Sequence, residues 1–146
     1  MKKLALITTV ILSTFMLSTI SCKNGDDDIV ADCGCESDTQ TIIPESANVI
    51  GRISFKRQIE IDTNDDYYNN TYWITYLVPG CSNCVSHMIV CNEDYLKTEF
   101  KDLLDLPQGE YVEVKFSGEL KEVCQKRFDL ADIVYKRILL TSIQRQ

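Results

Sequence analysis

Seven cysteines and a single histidine are the residues of this 146-residue chain whose types and spacing can do chemistry. Three of them form the pattern Cys81-x-x-Cys84-x-x-His87. Two thiolates and an imidazole make three ligands of a tetrahedral metal site, which Cys33 or Cys124 would complete. A Cys-x-x-Cys pair is also a redox motif, but that chemistry needs a lowered thiol pKa, usually from a helix start. Here a strand-like run follows Cys84, and no second element of a thioredoxin-like βαβ unit is present. A haem attachment motif needs His directly after the second Cys, and Val85 stands there instead. The remaining reading is structural. Apart from Cys22, an even set remains (Cys33, Cys35, Cys81, Cys84, Cys91 and Cys124), and in an exported domain such a set forms disulfides. Staples are the favoured reading, with metal or thiol-redox handling by Cys81 and Cys84 as the alternative.

Cys22 is of a different kind. Lys2 and Lys3 precede an apolar stretch from Leu4 to Leu17, which leads into Leu17-Ser18-Thr19-Ile20-Ser21-Cys22. A short basic start, an apolar run and small residues before a cleavage point make a secretory signal. Thr8, Thr9, Ser13, Thr14, Ser18 and Thr19 dilute the run, and a membrane span needs roughly 20 apolar residues. With Ser21 and Cys22 in place, residues 1–21 resemble a bacterial lipoprotein signal peptide, although Thr19 stands where that family prefers an aliphatic residue. The resemblance implies cleavage before Cys22, acylation of Cys22 (palmitate among the chains) and attachment to the membrane through that lipid. Lys23-Asn24-Gly25-Asp26-Asp27-Asp28 resembles the acidic tract behind the acylated Cys of Bacteroidota surface lipoproteins. That likeness implies the cell outer membrane, with the protein displayed at the cell surface.

Charge narrows the partners. Removing residues 1–21 takes away Lys2 and Lys3 and no acid, which moves the net charge from −7 to −9. Such a chain should repel nucleic acid, whose phosphates are held mainly by Lys and Arg. It also lacks a basic membrane-binding face, so attachment must come from the lipid. Residues 22–48, with scattered acids, Gly25, Gly34, Pro44 and few apolar pairs, read as an acidic flexible tether. The domain is expected over 49–146.

Within it, Val49, Ile53, Phe55, Ile59 and Ile61 alternate with polar residues and predict a long first strand. Thr71–Val78 and Ser86–Cys91 predict two more. Asn92-Glu93-Asp94 reads as a helix start, a capping side chain followed by acids at the positive end of the dipole. The helix carries Leu96, Phe100, Leu103 and Leu104 and ends before Pro107. Val112–Lys121 and Asp132–Ile143 predict the last strands, the latter with Ile133, Tyr135, Leu139, Thr141 and Ile143 on one face. A mainly β domain with one helix, in the order β-β-β-α-β-β, resembles a small OB-like five-stranded barrel. That arrangement implies that Cys33, Cys35, Cys81, Cys84 and Cys124 gather at one end. It pairs Cys124 with Cys81 or Cys84 and leaves Cys91 as a buried free thiol.

Tyr67, Tyr68, Tyr72, Trp73 and Tyr76 cluster in and beside the loop between the first two strands. OB-like barrels bind ligands on that side, and exposed rings there would stack on a glycan or dock a protein ligand. Asp62-Thr63-Asn64-Asp65-Asp66 opens like a calcium loop, but Tyr67 and Trp73 stand where Gly and Glu are required. With one histidine and no assignable nucleophile, the chain reads as a non-catalytic binding or accessory lipoprotein, not an enzyme, with no cofactor. Cys22→Ala should leave a larger, unprocessed precursor and abolish fatty-acid labelling, scored by electrophoresis of labelled cells; labelling that survives the substitution refutes the lipid anchor.

Overall fold

The computed structural model describes residues 32–58, 67–125 and 133–146. Cys22, the signal segment, Ile59, Ile61 and the acidic stretch 62–66 lie outside the described residues. Six strands are described: β1 (Thr39–Ile43), β2 (Val49–Lys56), β3 (Thr71–Leu77), β4 (Val85–Val90), β5 (Val112–Lys121) and β6 (Ile133–Arg145). A 3₁₀ helix, Glu93–Leu104, lies between β4 and β5. β2, β3, β4, β6 and β5 pair in that order, and β5 pairs with β2 again, closing the barrel. All these pairs are antiparallel except β4–β6, which is parallel. The result is a closed five-stranded barrel plus one extra strand, compatible with an OB-like fold.

Period-two alternation builds the interior. Tyr72, Ile74 and Tyr76 of β3, Met88 and Val90 of β4, and Val114 and Phe116 of β5 meet inside with Ile53, Ile138 and Leu140. Burying each aliphatic side chain is worth about 1.5–3 kcal/mol relative to exposure. The helix closes one end with Leu96, Phe100 and Leu103. It winds as 3₁₀ over 12 residues, longer than such helices usually run. Asn92 is not its side-chain cap. Asn92 instead exchanges two hydrogen bonds with the Leu140 backbone, both 2.9 Å, and so ties the end of β4 to β6.

The inward face of β6 differs from its sequence pattern. Ile138 and Leu140 are buried, whereas Tyr135 packs outside. The pairing runs Ser117↔Ser142 and then Gly118↔Leu140, so Thr141 is an extra residue in the ladder. Such a bulge switches the alternation, which lets Ile143 pack against the core from the odd-numbered set. Gly118 permits the close approach: a Cβ there would sit 2.6 Å from the Leu139 carbonyl oxygen and 2.8 Å from Ile138 Cγ1.

β1 lies within 22–48, the stretch expected to be tether. It pairs with β5 from Thr39↔Lys121 to Ile43↔Gly118. β2 takes the same edge of β5 further on, from Val49↔Phe116 to Ile53↔Val112. Running antiparallel past Lys121, the residues before β1 lie beside those after β5. Gly34 N–H donates to the Glu122 carbonyl at 2.8 Å, and the ammonium of buried Lys121 donates to the Ser37 carbonyl at 2.6 Å. This hook carries two disulfides, Cys33–Cys124 and Cys35–Cys91.

The expected pairing is therefore corrected. Cys124 joins Cys33, not Cys81 or Cys84, and Cys91 is bonded rather than free. The barrel register explains both: Lys121 is level with Arg137, which is level with Ile89 near the end of β4. The ends of β4 and β5 thus meet, while the turn carrying Cys81 and Cys84 sits at the opposite end of β4. There those two residues bond each other. Two tests follow. Replacing Cys33 and Cys124 together by Ser should lower unfolding stability by about 4 kcal/mol, the chain-entropy value for the loop of roughly 35 residues that this bond closes while Cys35–Cys91 is intact, read from the guanidinium midpoint. Gly118→Ala should cost about 1–3 kcal/mol through overpacking at the bulge; an unchanged midpoint would contradict the close approach there.

Candidate functional site

Side chains that alternation turns outward form cross-strand rows on the face of β2, β3, β4 and β6. One row runs Arg52, Thr75, His87, Tyr135, and the next Ser54, Trp73, Ile89, Arg137. A third begins Leu77, Val85, Ile133. Each row sits at consecutive same-face positions of the ladder, two residues apart along every strand.

The Trp73 row is roofed. Tyr67 and Tyr68, just before β3, and Val123, just after β5, pack with Trp73, Ile89 and Tyr135 into a second apolar cluster outside the barrel. The rings meet edge-on: Tyr67 lies 4.6 Å from Tyr68, 5.6 Å from Tyr135 and 5.9 Å from Trp73. Trp73 Nε1 donates to the Tyr68 carbonyl at 3.1 Å, and the Arg137 guanidinium stacks 4.4 Å above the Tyr68 ring. The Lys56 ammonium lies 5.4 Å from the Trp73 ring centroid and donates to the Tyr67 carbonyl.

The middle row is more open and more polar. His87 stacks on Tyr135 with centroids 5.4 Å apart, and its Nδ1 shares a hydrogen bond with Thr75 Oγ1 at 3.0 Å. Two shallow clefts flank Thr75. One, about 290 Å³, is lined by Ser54, Tyr67, Trp73, His87, Gln108 and Tyr135 among others. The other, about 390 Å³, is lined by Ile50, Arg52, Tyr76, Leu77, Val85 and Glu113. Arg52 is stacked over Tyr111 at 4.4 Å, so its guanidinium is held at the rim.

Burial sets the titration of this face. It pushes the Tyr67 phenol up to about 12, with Tyr68 and Tyr135 adding to the rise. It holds His87 below its ordinary value, so the ring is neutral at pH 7. The Tyr67 hydroxyl is buried without a hydrogen-bond partner among the described residues. A buried polar group in that condition carries an uncompensated desolvation cost. The arrangement offers aromatic surface, a hydroxyl, an amide and a neutral imidazole.

The expected aromatic set divides. Tyr67, Tyr68 and Trp73 reach this face, but Trp73 is only 8% exposed and Tyr67 6%, so they are packed walls rather than free platforms. Tyr72 and Tyr76 point the other way, against Phe55 and Phe116. The metal reading of Cys81, Cys84 and His87 is also corrected. Cys81 and Cys84 are bonded to each other, His87 is engaged with Thr75 and Tyr135, and no three His, Cys, Asp or Glu converge on a metal-sized site among the described residues. Thr75, Tyr135, Ser54 and Arg52 belong to the face but were not foreseen. Alternation marks Thr75 as the outward neighbour of Trp73, whereas Tyr135 needs the β4–β6 register. No family model matches the chain, and no curated protein matches it in sequence.

His87 gives this face a pH signature. Its folded pKa is depressed from 6.5, so the unfolded chain binds the proton more readily. Stability from this group is complete above about 6.5 and is lost as pH falls below it. Urea midpoints should therefore drop between pH 7.5 and 5.5 in the native protein and stay flatter in His87→Asn; equal slopes would mean His87 protonates freely in the fold.

Proposed function

We propose that this protein is a lipid-anchored lipoprotein of the cell envelope, held in the outer membrane and displayed at the surface, acting as a non-catalytic binding or accessory module. The address comes from the signal-like segment 1–21 and Cys22. The three disulfides support it, because such bonds persist in exported proteins and are rare in the cytosol.

The binding role rests on the face around Thr75. Five-stranded barrels of this kind take ligands on the second and third strands and their flanking loops. Here those strands are β3 and β4, and they carry the clefts on either side of Thr75. The observation that carries the reading is the buried, unpartnered Tyr67 hydroxyl in the wall of one cleft. Aromatic walls with hydroxyl, amide and imidazole groups between them suit a glycan or a peptide segment.

Photo-crosslinking tests this. A benzophenone side chain at Thr75 should capture a defined adduct in intact cells under light, and the same group at Thr98, exposed on the helix, should not. Equal labelling from both positions, or none from Thr75, rejects the binding face.

A further inference from the structure

We infer that the Cys81–Cys84 bond is an exchangeable disulfide that reacts with thiols while the other two bonds stay intact. The three bonds differ in what they hold. Cys33–Cys124 and Cys35–Cys91 span 91 and 56 residues and lock the N-terminal hook to the barrel. Cys81–Cys84 spans three residues within the β3–β4 turn. That turn is already closed by backbone bonds, Val78 N–H to the Cys84 carbonyl at 3.0 Å and Cys81 N–H to the Val78 carbonyl at 3.2 Å. A short loop restricts the unfolded chain least, so this bond contributes the least entropy to the fold. It can open without releasing any strand.

It is also accessible. Pro79, Gly80, Ser82 and Asn83 around it are exposed, and both sulfur-bearing residues are half-buried. Leu77, 67% exposed, and Ile50, 56% exposed, line the cleft that reaches Val85, the residue after Cys84. An incoming cysteine on a protein chain would find apolar surface beside the bond. A disulfide in an exposed turn, holding no other element in place, belongs to the labile kind in exported proteins.

The reactant class is a thiol, and two equivalents complete the exchange. A thiolate attacks one sulfur of the pair, the Cys81–Cys84 bond breaks, and a mixed disulfide forms as the released cysteine takes a proton. A second thiolate attacks the mixed disulfide at the incoming sulfur. It leaves as the oxidised disulfide of the reactant, and the second cysteine is protonated. Two electrons and two protons pass from the thiols to the pair. The reverse sequence lets the dithiol reduce a partner disulfide. This site lies apart from the Thr75 clefts' aromatic half and does not depend on their function.

The test equilibrates the oxidised, purified protein in glutathione buffers of graded ratio. Samples are acid-quenched, alkylated and mapped by mass spectrometry, and Trp73 fluorescence reports the fold. Cys81 and Cys84 should be half-reduced at a reduced-to-oxidised ratio at least tenfold lower than either other pair requires, with the fluorescence unchanged. The double variant Cys81→Ser, Cys84→Ser should keep the native fluorescence and lose the early alkylation. Reduction of all three bonds together, fluorescence change accompanying the first reduction, or an early phase that persists in the double variant would each overturn the inference.

Discussion

β5 is the strand on which the structure depends, because its backbone satisfies three neighbours. One edge is shared end to end by β1 and β2, and the other is taken along its length by β6. Backbone N–H and C=O groups buried in a barrel must find partners, and closing the cylinder through β5 provides them. The same closure fixes the barrel register. The register in turn decides which ends meet and which side chains share a row on the outer face. The disulfides of the hook, the position of Lys121 and the aromatic rows all follow from where β5 sits between its partners.

The outer aromatic cluster is a second small core built on the wrong side of a barrel wall. Side chains that would ordinarily meet water are covered by residues from two connections, 67–68 and 123. Covering them buries apolar area, which stabilises the attachment of those connections. It also encloses polar atoms that no described residue satisfies, the Tyr67 hydroxyl and Arg137 Nε among them. Among the described residues, the Arg137 guanidinium is met by the Tyr68 ring and by Cys35 Sγ at 3.5 Å. A face assembled this way holds its side chains in fixed positions while leaving hydrogen-bonding capacity unspent.

Local pattern carried most of the barrel. Val112–Lys121 alternates cleanly, and the strand occupies those residues. Thr71–Leu77, with its dense β-branched and aromatic residues, was equally legible. What stayed hidden depends on partners distant in sequence. β1 is a five-residue strand of exposed Thr, Gln and Ile whose one buried side chain is Ile43, so it leaves no alternation to read. Missing it misplaced Cys33 and Cys35, and with them the pairing of Cys91 and Cys124. The bulge at Thr141 reverses the face of β6 midway, which a strict period of two cannot express. The aromatic site was half visible: Tyr67, Tyr68 and Trp73 are neighbours in sequence, whereas Tyr135 joins them only through the parallel β4–β6 pair.

The hook at Cys33 also sets how the domain bears load. Tension applied to the chain ahead of Cys33 enters the fold at Cys33 and passes through the sulfur bridge to Cys124, just beyond the end of β5. It bypasses β1, a short edge strand that would otherwise be peeled one hydrogen bond at a time. Such a load is borne by a covalent link to the most heavily paired strand.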